Sequence, residues 1–373
     1  MELGLCEEEV ILATSVRGFI EAECPVSRLR ALRGLEHPLN YSEEIWGEMI
    51  ELGWLSLVES SEDRCAALAN IAIVAEAMGH SLCVEPFVST AVGGVWALAE
   101  LSHEENPLFA RISEGNAVVA HGFGLAKWDS VENPAAAVWV DLVEGKECLN
   151  GELRFVEFGA VADYVLLPLS FSHSDGLGIG LISLDEARVE RIRLDRVDGR
   201  NAAHLRFSQR PLGAEDVLIR GSEAVGKTRK IFDALCVAAA SEMLGAAQGA
   251  FDRTLDYLKT REQFGGPIGA LQALQHRAAR MFVEIQLARS AVRAASLSFN
   301  GGDRDRSCAC SMAKVLAGET LWLVAKESVQ MHGGVGMTDE CDIGFYLKRA
   351  TVMRHSLGDE TFHRSRWSAL RQY

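Results

Sequence analysis

The residues best suited to chemistry gather at two glycine-rich turns. Phe264-Gly265-Gly266-Pro267-Ile268 follows Arg261 and Gln263 and precedes Gln272 and Gln275, while His332-Gly333-Gly334-Val335-Gly336 follows Gln330. Glycine after a helix leaves backbone N–H groups uncovered, Arg adds a forked cation and Gln adds neutral amide donors. Together they suit a pyrophosphate. A carboxylate is the second feature. Glu242 stands in the apolar run Val237-Ala-Ala-Ala-Ser-Glu-Met-Leu244, where an acid is unusual. It reads either as a desolvated base or as the partner of an Arg across a helical bundle.

Gly221-Ser-Glu-Ala-Val-Gly-Lys-Thr228 matches the phosphate-loop pattern letter for letter. Such a loop opens a βαβ unit of a parallel sheet and needs an acidic strand end later in the chain to hold magnesium. Here the preceding strands read as antiparallel, Leu181-Ile182-Ser183-Leu184-Asp185 comes before the motif, and only helices follow. The stretch therefore reads as a connector into a helix. His276, His332 and His355 lack a metal-ligand spacing and read as structural. The nine cysteines are scattered without a Cys-x-x-Cys pair, as expected of reduced, buried side chains.

These residues must be positioned by three stretches of different period. Residues 1–115 carry apolar residues at three- and four-residue spacing, as in Val10, Leu12, Val16, Phe19 and Ile20, and form an N-terminal helical domain. Pro38 and the run Asn40 to Glu44 supply a turn and N-cap, and Gly53 and Gly79 read as helix stops. Residues 116–225 hold short β-prone runs bounded by Gly, Pro, Asp or Asn, such as Tyr164 to Leu167 and Leu177 to Leu184, and form a central, mostly antiparallel β-domain. Residues 226–373 return to the helical period in long segments near 228–259, 268–299 and 305–331, with shorter ones near 340–353 and 359–370. They form a C-terminal four-helix-type bundle. The fold class is α+β, not doubly wound α/β.

Composition narrows the partners. The 373 residues carry 37 Lys+Arg against 52 Asp+Glu, a net charge of −15, which opposes broad binding to nucleic acid or an anionic membrane. No uncharged run reaches the length of a membrane span, and the first ten residues are acidic where a signal peptide is basic. A cytoplasmic protein is expected.

Thr260-Arg-Glu-Gln-Phe-Gly-Gly-Pro-Ile-Gly-Ala-Leu-Gln272 and Gln330-Met-His-Gly-Gly-Val-Gly336 resemble two signatures of the acyl-CoA dehydrogenase family. The resemblance extends over Trp46-x-x-Met49-x-x-Leu52-Gly-Trp54-Leu, Glu76-Ala-Met-Gly79, Asn150-Gly-Glu-Leu-Arg-Phe155 and Ala162-Asp163. The late stretch from Lys348-Arg349 to Leu357-Gly358-Asp359 is similar to the bacterial branch acting on bulky, often steroid-derived, acyl-CoA. The resemblance implies FAD as cofactor, an acyl-CoA as substrate and at least a dimer, built from identical chains or with a paralogous subunit in a heterotetramer. It implies that Arg261, Gln263, Phe264, Gln272, Gln330 and Gly334 contact the pyrophosphate and adenosine side of FAD, largely for a neighbouring subunit. Thr361 and His363 take later FAD-contacting places.

Two stretches depart from the family pattern. Where a Thr-Glu-x-x-x-Gly-Ser-Asp segment and a Trp-Ile-Thr/Ser strand border the flavin ring, this chain reads His121-Gly-Phe-Gly-Leu-Ala-Lys127-Trp128-Asp129-Ser130 and Phe155-Val156-Glu157. Trp128 reads as a stacking ring or as a plug. The catalytic carboxylate, which removes the substrate's α-proton, is a Glu before Gly-Thr in the commonest pattern; aligning on Thr361 puts Asp359 there, shorter by one methylene, or about 1.5 Å. Other members carry the base on the first long C-terminal helix, at the place of Leu235, and Glu242 lies two turns further on. Glu242 and Asp359 are thus the two candidate bases. Lys227 and Arg229-Lys230 read as a solvated helix start or as contacts to CoA phosphates. Two functions follow: a catalytic subunit forming a 2,3-enoyl-CoA, or a non-catalytic subunit that completes the FAD site of a homologue.

Overall fold

A computed structural model describes residues 4–34, 39–59, 63–123, 128–130, 133–134, 136–172, 176–185 and 188–373. The first helices are α1 (Glu7–Glu23), α2 (Val26–Gly34), α3 (Glu43–Glu51) and α4 (Arg64–His80). They are followed by α5 (Phe87–Thr90), a π-helical stretch (Ala91–Trp96), α6 (Ala97–Glu100) and α7 (Pro107–Ser113). Ser42 caps α3 by accepting the Ile45 N–H at 3.3 Å, and Gly53 follows that helix at φ 77°.

The strands are β1 (Val119–His121), β2 (Trp128–Ser130), β3 (Asn133–Pro134), β4 (Val138–Val143), β5 (Lys146–Glu157) and β6 (Tyr164–Phe171). Then come β7 (Leu177–Ser183), β8 (Val189–Asp195), β9 (Asn201–Pro211) and β10 (Val217–Arg220). The long α8 (Ser222–Thr260) leads to the two-residue strands β11 (Glu262–Gln263) and β12 (Gly266–Pro267). The chain continues as α9 (Gln272–Ser296), α10 (Asp303–His332), α11 (Ile343–Met353) and α12 (Glu360–Arg371). The order helices, strands, helices is the one expected from the periods.

By packing, the chain falls into two compact units. One takes Met1–Leu35, Ala72–Cys83 and Cys236–Trp367; the other takes Glu36–Ile71, Val84–Leu235 and Ser368–Tyr373. The N-terminal helical stretch is therefore shared between the two units.

In the helical unit, close approach is made by glycine. A Cβ on Gly79 would collide with the carbonyl of Glu242, one on Gly245 with that of Glu76, and one on Gly249 with that of His80. Gly79 lies inside α4 and is there for this contact, not as the helix stop expected of it. The seam brings Cys236, Val237, Met243, Leu244, Ala246 and Ala247 to full burial, each larger apolar side chain worth about 1.5–3 kcal/mol. α8 and α10 each hold a window apolar enough to cross a bilayer, but 94% and 67% of those windows are buried in the protein, as in core helices.

In the other unit, the sheet runs β10-β7-β6-β4-β5-β9-β8, with β1 added to β6. It is mixed, not antiparallel throughout: β1 and β4 both lie parallel to β6. The other pairings of the sheet are antiparallel, as expected, and the two parallel ones were not read because pairing between distant strands leaves no mark in short apolar runs. Period-two alternation directs Val138 and Val140 inward and Trp139 outward, and Leu149, Leu153, Val165, Leu167, Leu205 and Phe207 complete the core.

Candidate functional site

The first glycine-rich turn is a hairpin at the end of α8. Arg261 N–H still closes on the Tyr257 carbonyl at 2.8 Å, and β11 then pairs with β12 through Gln263 and Gly266. Phe264 at φ 56° and Gly265 at φ 88° form the two-residue loop with both φ positive that such a hairpin prefers. The Phe264 ring is 91% exposed. Arg261, Gln263, Gln272 and Gln275 are exposed too, and Arg261 makes no ion pair among the described residues.

The second turn caps α10. Gly333 takes φ 65°, and Gln330, Gly333 and Gly334 are exposed. His332 stacks on Tyr257 with ring centroids 4.3 Å apart, and the Tyr257 hydroxyl donates to the His332 carbonyl at 3.3 Å. Tyr257 lies one turn before Arg261 and His332 directly before Gly333. This stack joins the two turns at one end of the helical unit. Burial holds the His332 ring below its ordinary pKa, against a hydrogen bond with the Ser328 carbonyl that favours the charged form, so it acts as a neutral spacer. The cluster offers an unneutralised guanidinium, amide groups and exposed glycine backbone, a set that fits the polyphosphate half of a dinucleotide.

The carboxylates are placed differently. Glu242 is 2% exposed, and its Oε1 accepts from Arg349 Nη1 at 2.9 Å. Of its two sequence readings, the Arg-paired one is the geometry found. Asp359 Oδ1 accepts the Phe362 N–H at 2.8 Å and serves as the N-cap of α12. Thr361 is exposed, as a ligand contact requires, whereas His363 is fully buried. His363 Nε2 bonds to the Leu357 carbonyl at 2.9 Å and Nδ1 to Ser311 Oγ at 3.3 Å. His363 is thus corrected from ligand contact to internal brace: two residues of helix turn it inward from Thr361.

In the sheet unit, the stretch Phe155-Val156-Glu157 ends in a charge cluster. Glu157 accepts from Arg196 at 3.0 Å and from Arg200 at 2.8 Å, and Arg196 also pairs with Asp198 at 2.8 Å. Burial alone would push Arg196 down, but Glu157 and Asp198 outweigh it and hold the guanidinium above its ordinary pKa. Phe155, at φ 55°, turns its ring outward to 63% exposure. His121 is held neutral chiefly by burial, against the pull of Glu157. A carboxylate fixed between two guanidiniums thus stands where the resemblance leads one to expect a ring-side hydroxyl. Gly124–Lys127 and the Trp128 side chain lie outside the described residues.

The phosphate-loop match is helix: α8 begins at Ser222, Thr228 is fully buried, and Lys227 Nζ donates to the Glu100 carbonyl at 2.6 Å and carboxylate at 2.7 Å. Lys230 closes on the same carboxylate at 2.8 Å. Burial favours a neutral Glu100, but the two ammonium groups prevail and keep its pKa low. Sequence reasoning missed Arg349, Tyr257 and the Arg196–Asp198–Arg200 cluster. Only Arg349 stood in a quoted motif, and none had a local signal of its contacts.

A model of the family described as "Acyl-CoA dehydrogenase, C-terminal domain" matches residues 228–369. Acyl-CoA dehydrogenase IpdE2 of Mycolicibacterium smegmatis is 27% identical over 357 residues, covering 95% of this chain and 96% of that protein. Among solved structures, the ChsE4-ChsE5 complex from Mycobacterium tuberculosis is similar with TM-score 0.87 at 21% identity, over 100% of this chain and 99% of that one. A glutaryl-CoA dehydrogenase from Mycobacterium smegmatis in complex with FADH2 is similar with TM-score 0.80 at 18% identity, over 99% and 96%. The two structures carry the fold, and the residues matched by the family model include both glycine-rich turns. Residues 228–369 thus match the C-terminal domain model of the acyl-CoA dehydrogenase family, and the chain is similar over nearly its full length to an acyl-CoA dehydrogenase.

Proposed function

We propose that the chain is a subunit of a heteromeric, FAD-dependent acyl-CoA dehydrogenase that forms a 2,3-enoyl-CoA from a bulky acyl-CoA, and that it clasps FAD for a paralogous partner holding the base. The burial of Glu242 against Arg349 carries this reading. A carboxylate that must take an α-proton has to reach the substrate, and releasing Glu242 would leave a buried guanidinium uncompensated. Asp359 is likewise engaged as a helix cap, and Glu157 is fixed on the ring-facing strand. The relative's name and the heteromeric complex among the similar structures support the same reading.

When bound, FAD supplies the hydride acceptor of the reaction. This chain's part is binding and orientation. Arg261 sets its guanidinium against the pyrophosphate, Gln263, Gln272 and Gln330 offer amide groups, and the Gly334 turn lets backbone N–H groups approach. Phe264 presents an exposed ring to the adenosine side, and Thr361 adds a hydroxyl.

Co-expression tests the proposal. The chain alone is expected to be free of flavin, and co-purification with a paralogous dehydrogenase subunit is expected to yield a complex with flavin absorbance bands. A stoichiometric FAD complex of the lone chain would overturn it.

A further inference from the structure

The buried lysine of α10 has no part in the site so far described. Lys314 is 2% exposed and directs its Nζ at the carbonyls of Met353 at 3.3 Å, Arg354 at 3.5 Å and Gly358 at 3.2 Å. Met353 ends α11 and Asp359 caps α12, so the three carbonyls belong to the turn between them. The last carbonyls of a helix have no partner within it and need one from elsewhere. That turn is also strained at Leu357, which stands at φ 57°, whereas Gly358 takes φ 92° without a Cβ penalty. A branched side chain in the left-handed region persists only where its surroundings over-determine it. They do so here. His363 closes on the Leu357 carbonyl at 2.9 Å, Arg354 Nε donates to Glu360 at 3.0 Å, and Arg354 packs over the Trp322 ring at 4.9 Å.

We infer that Lys314 is a positioning residue: its Nζ, bonded to the carbonyls of Met353, Arg354 and Gly358, holds the α11–α12 turn so that Thr361 is presented to the bound cofactor. Removing Lys314 takes a donor from three carbonyls of the turn, of which that of Met353 keeps the Ser356 N–H at 3.2 Å. The ligand end of this inference rests on the function proposed above; the hold on the turn does not.

The buried Nζ is costly to charge, which gives it a signature that a mere packing role lacks. Burial pushes Lys314 down to about 8, against the attraction of Cys236, Glu360 and Asp359 and with the repulsion of Arg354; His363 faces it as well. If the turn opens, Lys314 regains its ordinary value of 10.5. Between those values opening takes up a proton, so the turn becomes harder to open as pH rises.

Hydrogen exchange on the full chain tests this. In Lys314→Met, amides of residues 355–363 are expected to exchange at least tenfold faster than in wild type, with α8 and α9 unchanged. Equal protection of the turn in the two proteins would overturn the inference. Should the variant fail to fold, wild type alone decides. After correction for intrinsic rates, protection of residues 355–363 should rise from pH 8 to 10, and do so equally in Cys236→Ala, which removes the facing thiol. A flat profile overturns the inference. In the assembled complex, Lys314→Met should also retain less flavin. Arg261→Ala separates the two levels: if it keeps its flavin while Lys314→Met still loosens the turn, the proposed function fails and the hold of Lys314 on the turn stands.

Discussion

Glu242 and Arg349 form an ion pair 2.9 Å long in which both side chains are almost completely withdrawn from water. Losing one member of such a pair strands the other charge. Arg349→Leu is therefore expected to destabilise the helical unit by about 3–5 kcal/mol, and Glu242→Leu/Arg349→Leu to recover a large part of that. Glu242→Gln should lower the urea midpoint while leaving turnover per folded complex close to wild type. A variant as stable as wild type but without turnover would return Glu242 to the role of base.

Asp359 separates cap from catalyst in a pair of substitutions. Asn keeps an acceptor for the Phe362 N–H and is an equally good N-cap, whereas Ala removes it. Asp359→Asn should be neutral in stability and in turnover, and Asp359→Ala should cost about 1 kcal/mol in chemical denaturation. Loss of turnover in the Asn variant, with stability intact, would mark Asp359 as the base.

How much of this was legible in the sequence depended on range. The hairpin at Arg261 to Ile268 could be read because turn chemistry is local: Gly265 takes the positive φ that its own type predicts. The helix ends near 260, 296 and 332 followed from the same local signals. The partner of Glu242 lies 107 residues away and was open until the structure closed it, because a Glu in an apolar run has the same look whether it works or is paired. Gly79 was misread for a related reason. A glycine that ends a helix and one that admits a neighbouring backbone are the same letter. The parallel pairing of β1 with β6, and the inward turn of His363, are set by packing that no window of sequence contains.

Gly245 puts the glycine seam to the test. A methyl there meets the Glu76 carbonyl oxygen, so α8 must move away from α4 or the two helices must lose their contact. Gly245→Ala gains helix propensity, about 1 kcal/mol in an unpacked helix, yet is expected to destabilise by about 1–3 kcal/mol through overpacking. Gly226→Ala on the same helix meets nothing within 4 Å and serves as the control, gaining the propensity alone. If both variants were stabilised to the same degree, the close approach of α8 and α4 would be refuted.

Arg261 makes the proposed clasp measurable apart from turnover. Its charge-assisted bonds to a pyrophosphate are worth about 1.5–3 kcal/mol, so Arg261→Ala should weaken flavin retention in the assembled complex about ten- to hundredfold. Arg261→Lys keeps the charge but not the fork and should fall between. The wild-type complex should lose flavin more readily as salt rises, and the Ala variant should show a weaker salt dependence. Flavin content by absorbance after dialysis reads all three; equal retention in wild type and Arg261→Ala would exclude the arm from the cofactor site.

His363 sets an acid limit on the same unit. Burial, with the charges of Lys314 and Arg366 beside it, holds the ring well below its ordinary 6.5, and the hydrogen bond with the Leu357 carbonyl offsets this only in part. The folded chain therefore keeps His363 neutral where the unfolded chain takes up a proton. Stability from this residue is undiminished above pH 6.5 and declines as pH falls from there toward the depressed folded value. One proton contributes a slope of at most about 1.4 kcal/mol per pH unit. Urea midpoints of wild type between pH 7.5 and 5.5 should fall more steeply than those of His363→Asn, which removes the titrating ring. His332 and His121, also lowered by burial, remain in both proteins, so the difference in slope belongs to His363. Parallel slopes would mean that the ring is reached by water and protonates in the folded chain, and that it does not brace the turn as a neutral group.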